Sequence, residues 1–176
     1  MQTNYPNRIT GTAIPELTFE LLSGGQWNSQ AKMHYAFTLL TIYRGMWCGH
    51  CKHQLMELNR LHDEFSARNV NMVAVSADTL ERASSTVVEL NLDKLEIGIN
   101  LPIEQARLLG VFVSKQVKPI EMPLFCEPAS FLIREDGTVF AAWIASNAFA
   151  RTEPADILAY LDFVKDNAAR PPRGSA

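Results

Sequence analysis

Several things are scarce in this sequence, and each shortage closes off a class of function. Basic charge is modest and scattered: 16 Lys and Arg stand against 19 Asp and Glu, for a formal net charge of -3. A mildly acidic chain with no Lys/Arg-rich stripe lacks the electrostatic footprint of a nucleic-acid binder. Long apolar runs are missing too. The most apolar stretch, "YAFTLLTIY" (35–43), falls well short of the roughly 20 residues that cross a bilayer, so no membrane association is expected. The opening "MQTNYPNRITG" is polar and has no apolar core of the signal-peptide kind, which makes the cytoplasm the expected compartment. Cysteine is limited to three residues, an odd number that suits reactive or buried thiols better than a structural disulfide framework.

What is present reads as one α/β domain over residues 1–176. A chain of this length buries roughly 70% of its unfolded surface in a single core, and 47% hydrophobic with 20% charged residues is a globular composition. Only the last ten residues, "NAARPPRGSA" (167–176), read as a flexible tail. "AIPELTFELLSGGQWNS" (13–29) places a Gly-Gly pair between two strand-like runs and predicts an N-terminal β-hairpin. "AFTLLTIY" (36–43) predicts a central strand covered on both faces. From Cys48 to about Arg68 the spacing of Leu55, Leu58, Leu61 and Phe65 predicts a single helix. "VNMVAVSA" (70–77) predicts the next strand, and Asp78 with Glu81 predicts a capping box opening a helix toward Leu90. "EIGIN" (96–100) and "LPIEQARLLG" (101–110) follow as strand and helix, and 111–127 as a long irregular connection. "ASFLI" and "TVFAAWIA", joined by "REDG", predict a hairpin, before a last helix from Pro154 to about Asn167. The whole is a mixed sheet flanked by helices.

The chemistry concentrates in "YRGMWCGHCKHQL" (43–55). A cysteine between a strand end and a helix start meets unpaired backbone N–H groups and the positive end of the helix dipole. Both favour the thiolate, which nucleophilic chemistry needs. Cys48 holds that position and is the expected attacking thiol; Cys51, one turn on and less exposed, is the expected resolving thiol. Such placement lowers a cysteine pKa from about 8.5 to somewhere between about 3.5 and 7.5. Protonated His50 adds positive charge beside Cys48, and Arg44 adds it without pH dependence, so an oxidising disulfide is expected. The rival use is zinc on Cys48, Cys51 and His53, but a structural site needs a second pair and Cys126 stands alone.

From about Ala13 to Lys165 the chain resembles thioredoxin-fold redoxins. "YRGMWCGHC", "VAVSAD", "LLGVF" and "PASFLIREDGTVF" are similar to peroxiredoxin-like members of the alkyl hydroperoxide reductase and thiol-specific antioxidant family. "WCGHC" also matches the active site of protein disulfide isomerases. The resemblance implies a thiol peroxidase that reduces hydroperoxides through Cys48 and Cys51, with no cofactor or metal and with an external reductant of the thioredoxin or glutathione type. The alternatives are a thioredoxin-like disulfide reductase or isomerase, and a non-enzymatic redox sensor that changes a partner surface.

Against the peroxiredoxin signature, Pro seven residues and Thr or Ser three residues before the reactive cysteine, this chain has Thr41 and Gly45. Against the buried acid of thioredoxins it has Ile42, and where typical peroxiredoxins carry an Arg it has Pro128. The resemblance assigns Pro128 to the cis-proline position, so Glu127–Pro128 is expected to be cis, and it gives Trp47 a shielding role over the pair. Cys126, two residues earlier, is expected to pack rather than react. Glu127 is a candidate proton-transfer carboxylate for Cys51, and 113–126 a candidate substrate or partner surface.

Overall fold

The computed structural model describes residues 9–166 and 170–175. Its elements are β1 (Thr18–Leu21), β2 (Gln26–Asn28), β3 (Phe37–Ile42), α1 (Gly49–Arg60), α2 (His62–Ala67), β4 (Val70–Val75), α3 (Leu80–Leu90), β5 (Glu96–Ile99), α4 (Ile103–Leu108), β6 (Val113–Lys115), β7 (Leu124–Cys126), β8 (Ala129–Arg134), β9 (Val139–Ile144) and α5 (Pro154–Asp166). Seven strands form one sheet in the order β2-β1-β5-β4-β3-β8-β9. β4 runs parallel to both β3 and β5; the other pairs are antiparallel, which gives the expected thioredoxin-like mixed sheet with its N-terminal hairpin. The central β3–β4–β5 crossovers follow from helices placed between parallel strands.

Alternation along the strands sorts the core into two layers. In β3, Leu39 faces one layer and Leu40 and Ile42 the other; in β4, Met72 and Ala74 oppose Val73 and Val75. The first layer receives α1, α2, α3 and α5 through Leu55, Leu58, Phe65, Ala83, Ile157 and Leu161, and it contains Cys48 and Cys51. The second receives α4 and β7, and it contains Cys126. Leu55, Leu58 and Phe65 are buried, each stabilising the fold by about 1.5–3 kcal/mol. Leu55 and Leu58 hold α1 against the sheet and fix its N-terminus at the end of β3.

Four local expectations are revised. The predicted helix over 48–68 is two helices, because Leu61 (φ -89°, ψ 7°) turns the chain between α1 and α2; the turn lets both Leu61 and Phe65 stay buried. Asp78 does not cap α3. Thr79 is the N-cap residue and makes no side-chain bond there, while the buried Asp78 carboxylate accepts from the Met46 backbone N–H at 2.8 Å and from Arg82 Nε at 2.8 Å. The 111–127 connection is not irregular throughout: β6 and β7 pair antiparallel as a ribbon. Its tip is closed by the Glu121 carboxylate, which accepts from the Val117 and Lys118 N–H groups at 2.7 and 3.0 Å. Finally, Glu127–Pro128 is trans, as is every described peptide bond. Pro128 immediately precedes β8, where a missing N–H costs no ladder bond, and its carbonyl accepts from Ala145 N–H at 2.9 Å.

Of the predicted 167–176 tail, 167–169 and 176 lie outside the described residues. Arg170 stacks over Phe163 with 4.9 Å to the ring centroid. None of the described helices is long and apolar enough to cross a membrane.

Candidate active site

Cys48 is the N-cap residue of α1, and its Sγ accepts from the Cys51 backbone N–H at 3.3 Å. The sulfur thus takes one of the orphan donors at the helix start, as a capping oxygen would. Both cysteines are free thiols. Two guanidinium groups converge on them from different parts of the chain. Arg44, in the segment after β3, reaches Cys48 Sγ at 3.9 Å, and its backbone N–H donates to Cys51 Sγ at 3.4 Å. Arg151, between β9 and α5, reaches Cys48 Sγ at 3.9 Å and Cys51 Sγ at 3.4 Å. Arg151 is aimed by two further bonds, Nη1 to Gln54 Oε1 and Nε to the Ala148 carbonyl, both 2.9 Å.

These donors split the two thiols. Cys48 is lowered to about 5: the Cys51 S–H donates to it, with the Cys51 N–H, the Arg44 guanidinium and the Arg151 charge acting the same way against the opposing effect of burial. Cys51 is pushed well up by burial, by giving its proton to the Cys48 sulfur and by the charge of that sulfur. The pair therefore holds one thiolate and one thiol at neutral pH, with the charge on Cys48.

Around them the other predicted residues divide. Glu127, buried, faces Arg44 in an ion pair (Oε2 to Nε, 3.2 Å) too skewed for a hydrogen bond, and its Oε1 accepts from Ser114 Oγ at 2.7 Å. The carboxylate thus holds Arg44 rather than Cys51. Trp47 packs edge-on to Phe125 with centroids 5.2 Å apart, beneath the Arg82 guanidinium at 5.2 Å, and Arg44 lies 5.0 Å over Phe125. His50 is exposed, and its ring packs on Phe149 at 4.3 Å. Cys126, with its side chain in the opposite core layer, is raised to about 12 by burial. His53 is exposed, and no described His, Cys, Asp and Glu residues form a group of three able to hold a metal ion.

A thiolate at a helix start, served by two arginines on this sheet, invites comparison with known redoxins. The family model described as the AhpC/TSA family matches residues 10–142. The chain belongs to the AhpC/TSA family. It is a peroxiredoxin-like thiol peroxidase on a thioredoxin-like fold. No curated protein matches it in sequence. Among solved structures, it is similar to peroxidoxin BcpB from Mycobacterium tuberculosis, with a TM-score of 0.72, 18% identity, and coverage of 90% of this chain and 99% of that one. The peroxiredoxin 6 of Arenicola marina aligns with a TM-score of 0.79 and 18% identity over 93% of this chain and 76% of its own. Reduced Prx3 from Vibrio vulnificus, determined in complex with H2O2, aligns with a TM-score of 0.75 and 16% identity over 88% and 99%.

Within this AhpC/TSA chain, Gly45 has a physical reason. Its φ of +151° lies where L side chains are rare, and a Cβ there would run into the Trp47 ring. The Trp47 ring fills the space a side chain at position 45 would take, and the charged donors around the sulfurs come from Arg44 and Arg151. Sequence reasoning missed Arg151, Gln54, Ser114 and the Asp78–Arg82 pair that fixes the Met46 N–H. The one available signal for Arg151 was a lone cation in "SNAFARTEP" (146–154), just past a hairpin strand.

Proposed function

We propose that the protein reduces hydroperoxides by a two-thiol cycle in which Cys48 attacks and Cys51 resolves. The observation that carries this reading is the Cys48 Sγ held at the α1 N-terminus within 3.9 Å of both Arg44 and Arg151. The Cys48 thiolate attacks the terminal peroxide oxygen, the O–O bond breaks, and the departing alkoxide takes a proton to leave as alcohol or water. The S–O bond formed is a sulfenic acid. Cys51 then attacks that sulfur; the hydroxide displaced takes up the proton Cys51 has lost and leaves as water, and the disulfide remains. Two external thiol groups, from one dithiol or from two monothiols, return two electrons and two protons, so the reading calls for a thioredoxin- or glutathione-type donor and no resident cofactor. The cytoplasm is the compartment that supplies such donors.

Reduction of a protein disulfide is the second reading, favoured by the buried Cys51 thiol hydrogen-bonded to an N-cap thiolate. Against it, Cys48 exposes only 4% of its surface, which admits a small peroxide more readily than the in-line approach of a second protein's sulfur.

The test is to treat the reduced protein with one equivalent of hydroperoxide and trap with a sulfenic-acid probe. Cys51→Ser is expected to accumulate Cys48 sulfenic acid that the native protein passes on to disulfide. No trapped species in Cys51→Ser, alongside rapid reduction of a protein disulfide by the native dithiol, would replace the first reading with the second.

A further inference from the structure

The two sulfurs do not share Arg151 equally. Its Nη2 lies 3.4 Å from Cys51 Sγ and 3.9 Å from Cys48 Sγ, so the guanidinium sits closer to the thiol that is neutral in the resting pair. Among the described residues no carboxylate pairs with it: its other bonds go to the Gln54 side-chain carbonyl and to the Ala148 backbone carbonyl. Arg44 differs, since Glu127 faces its guanidinium at 3.2 Å. The resting counter-ion of Arg151 is therefore the Cys48 thiolate.

That counter-ion vanishes in the first chemical step. Once Cys48 has taken an oxygen it is a neutral sulfenic acid, and two of the influences that keep Cys51 protonated go with its charge: the hydrogen bond to the thiolate and the repulsion by it. Burial, the largest influence on Cys51, still opposes its ionisation, and the groups that offset it are Arg151 at 3.4 Å and the Arg44 backbone N–H at 3.4 Å. We propose that Arg151 is a catalytic residue of the resolving step, passing from counter-ion of the Cys48 thiolate to counter-ion of the Cys51 thiolate that attacks the sulfenic acid. The step balances within the pair: Cys51 loses its proton to become thiolate, the new S–S bond forms as the S–O bond breaks, and the hydroxide released is protonated to water.

The inference rests on the reading of Cys51 as the resolving thiol, and the experiment separates the two. Reduced protein is mixed rapidly with hydrogen peroxide, and sulfenic acid and disulfide are followed by quenching into a sulfenic-acid probe and mass analysis, across a pH series. In Arg151→Gln the conversion of sulfenic acid to disulfide is expected to slow by about tenfold or more, the loss expected when a charge partner worth at least one pKa unit is removed. The pH midpoint of that phase should rise. Peroxide attack should slow less, because Arg44 still faces Cys48. Arg151→Lys should recover part of the second phase, and Gln54→Ala, which loosens the guanidinium without removing it, should slow it by a smaller factor. If Arg151→Gln does not fold, Gln54→Ala carries the test. Resolution at the native rate with a native pH midpoint in Arg151→Gln, or in Gln54→Ala where the first does not fold, overturns the proposal while leaving the peroxidase reading intact. Failure of Cys51→Ser to accumulate sulfenic acid overturns the reading itself.

Discussion

Cys48 and Cys126 are equally hidden, at 4% and 0% exposure, yet they sit at opposite ends of cysteine chemistry. Cys126 lies in β7 with its side chain in the second core layer, where burial raises it to about 12 and no donor among the described residues is aimed at the sulfur. Cys48 lies in the first layer, where a helix start, a second thiol and two guanidiniums lower it to about 5. Burial raises both; the sign of the result is decided by what points at the sulfur. Reactivity in this fold is thus a property of the end of β3 and the start of α1, where unpaired backbone donors are unavoidable.

The sharpest way to break the contrast is to remove the reactive sulfur. Cys48→Ser is expected to lower peroxide turnover to about one thousandth or less, since Cys51 keeps its proton without an activated partner; a peroxide-consumption assay checks it, and substantial residual turnover would point to Cys51 or Cys126 as nucleophile. Next in size is an attempt to restore the missing hydroxyl. Gly45→Thr forces a β-branched side chain into φ +151° and against the Trp47 ring, at a cost on the order of 2 kcal/mol or more. A fall in the denaturant midpoint is expected, and a native midpoint would mean the indole moves aside freely.

The two cysteines also bend stability with pH in opposite directions. Unfolded cysteine ionises near about 8.5, and Cys48 at about 5 in the fold. Its contribution to the reduced protein is complete above the unfolded value and is lost as pH falls through about 5. Cys126, ionising at about 12, contributes fully below the unfolded value and opposes folding as pH rises beyond it. Denaturant midpoints of the reduced protein should therefore climb from about pH 5 to 8 and decline above about pH 9. Cys48→Ser should flatten the climb and leave the decline.

Much of this arrangement was legible in the chain. The stripe at Leu55 and Leu58 and the Gly-Gly and Asp-Gly turns are local signals, and they located the strands and the first helix because local periodicity and burial agree there, while the turn at Leu61 that puts Phe65 in a second helix had no such signal. What escaped are contacts between residues far apart in sequence. Asp78 has the spacing of a capping box, but the Met46 N–H and Arg82 compete for its carboxylate and win. His50 is two residues from Cys48 in sequence, yet its ring turns outward to Phe149, while Arg151, about a hundred residues away, supplies the charge. Pro128 matched a positional template, but no local rule states whether an X-Pro bond before a strand is cis or trans.

A smaller effect is expected at Arg44. Replacing it by Met removes one of the two guanidiniums 3.9 Å from Cys48 and leaves Glu127 buried without its cation. The Cys48 thiolate, followed by ultraviolet absorbance, is expected to titrate about one unit higher. The double variant Arg44→Met/Glu127→Gln should recover stability without recovering the low pKa, because it removes the stranded carboxylate and not the missing charge. An unshifted titration would assign the lowering to Cys51, the helix start and Arg151 alone.

The smallest effect is expected at the other end of the comparison. Cys126→Ala leaves a gap of one sulfur in the second core layer, at a cost of about 1 kcal/mol, and removes nothing that faces the pair. Peroxide turnover, sulfenic-acid trapping and the Cys48 titration should all match the native protein, with only the denaturant midpoint lowered and its decline above about pH 9 reduced. Alkylation sharpens the point in the native protein: Cys48 should react at pH 6 and Cys126 only on unfolding, since a thiol ionising at about 12 and fully buried presents neither thiolate nor access. If Cys126→Ala instead slowed resolution, the two core layers would be coupled through the β7–β8 corner at Glu127. The carboxylate that holds Arg44 would then be the first place to look, because it is the one charged group that follows Cys126 directly and still reaches the reacting side of the sheet.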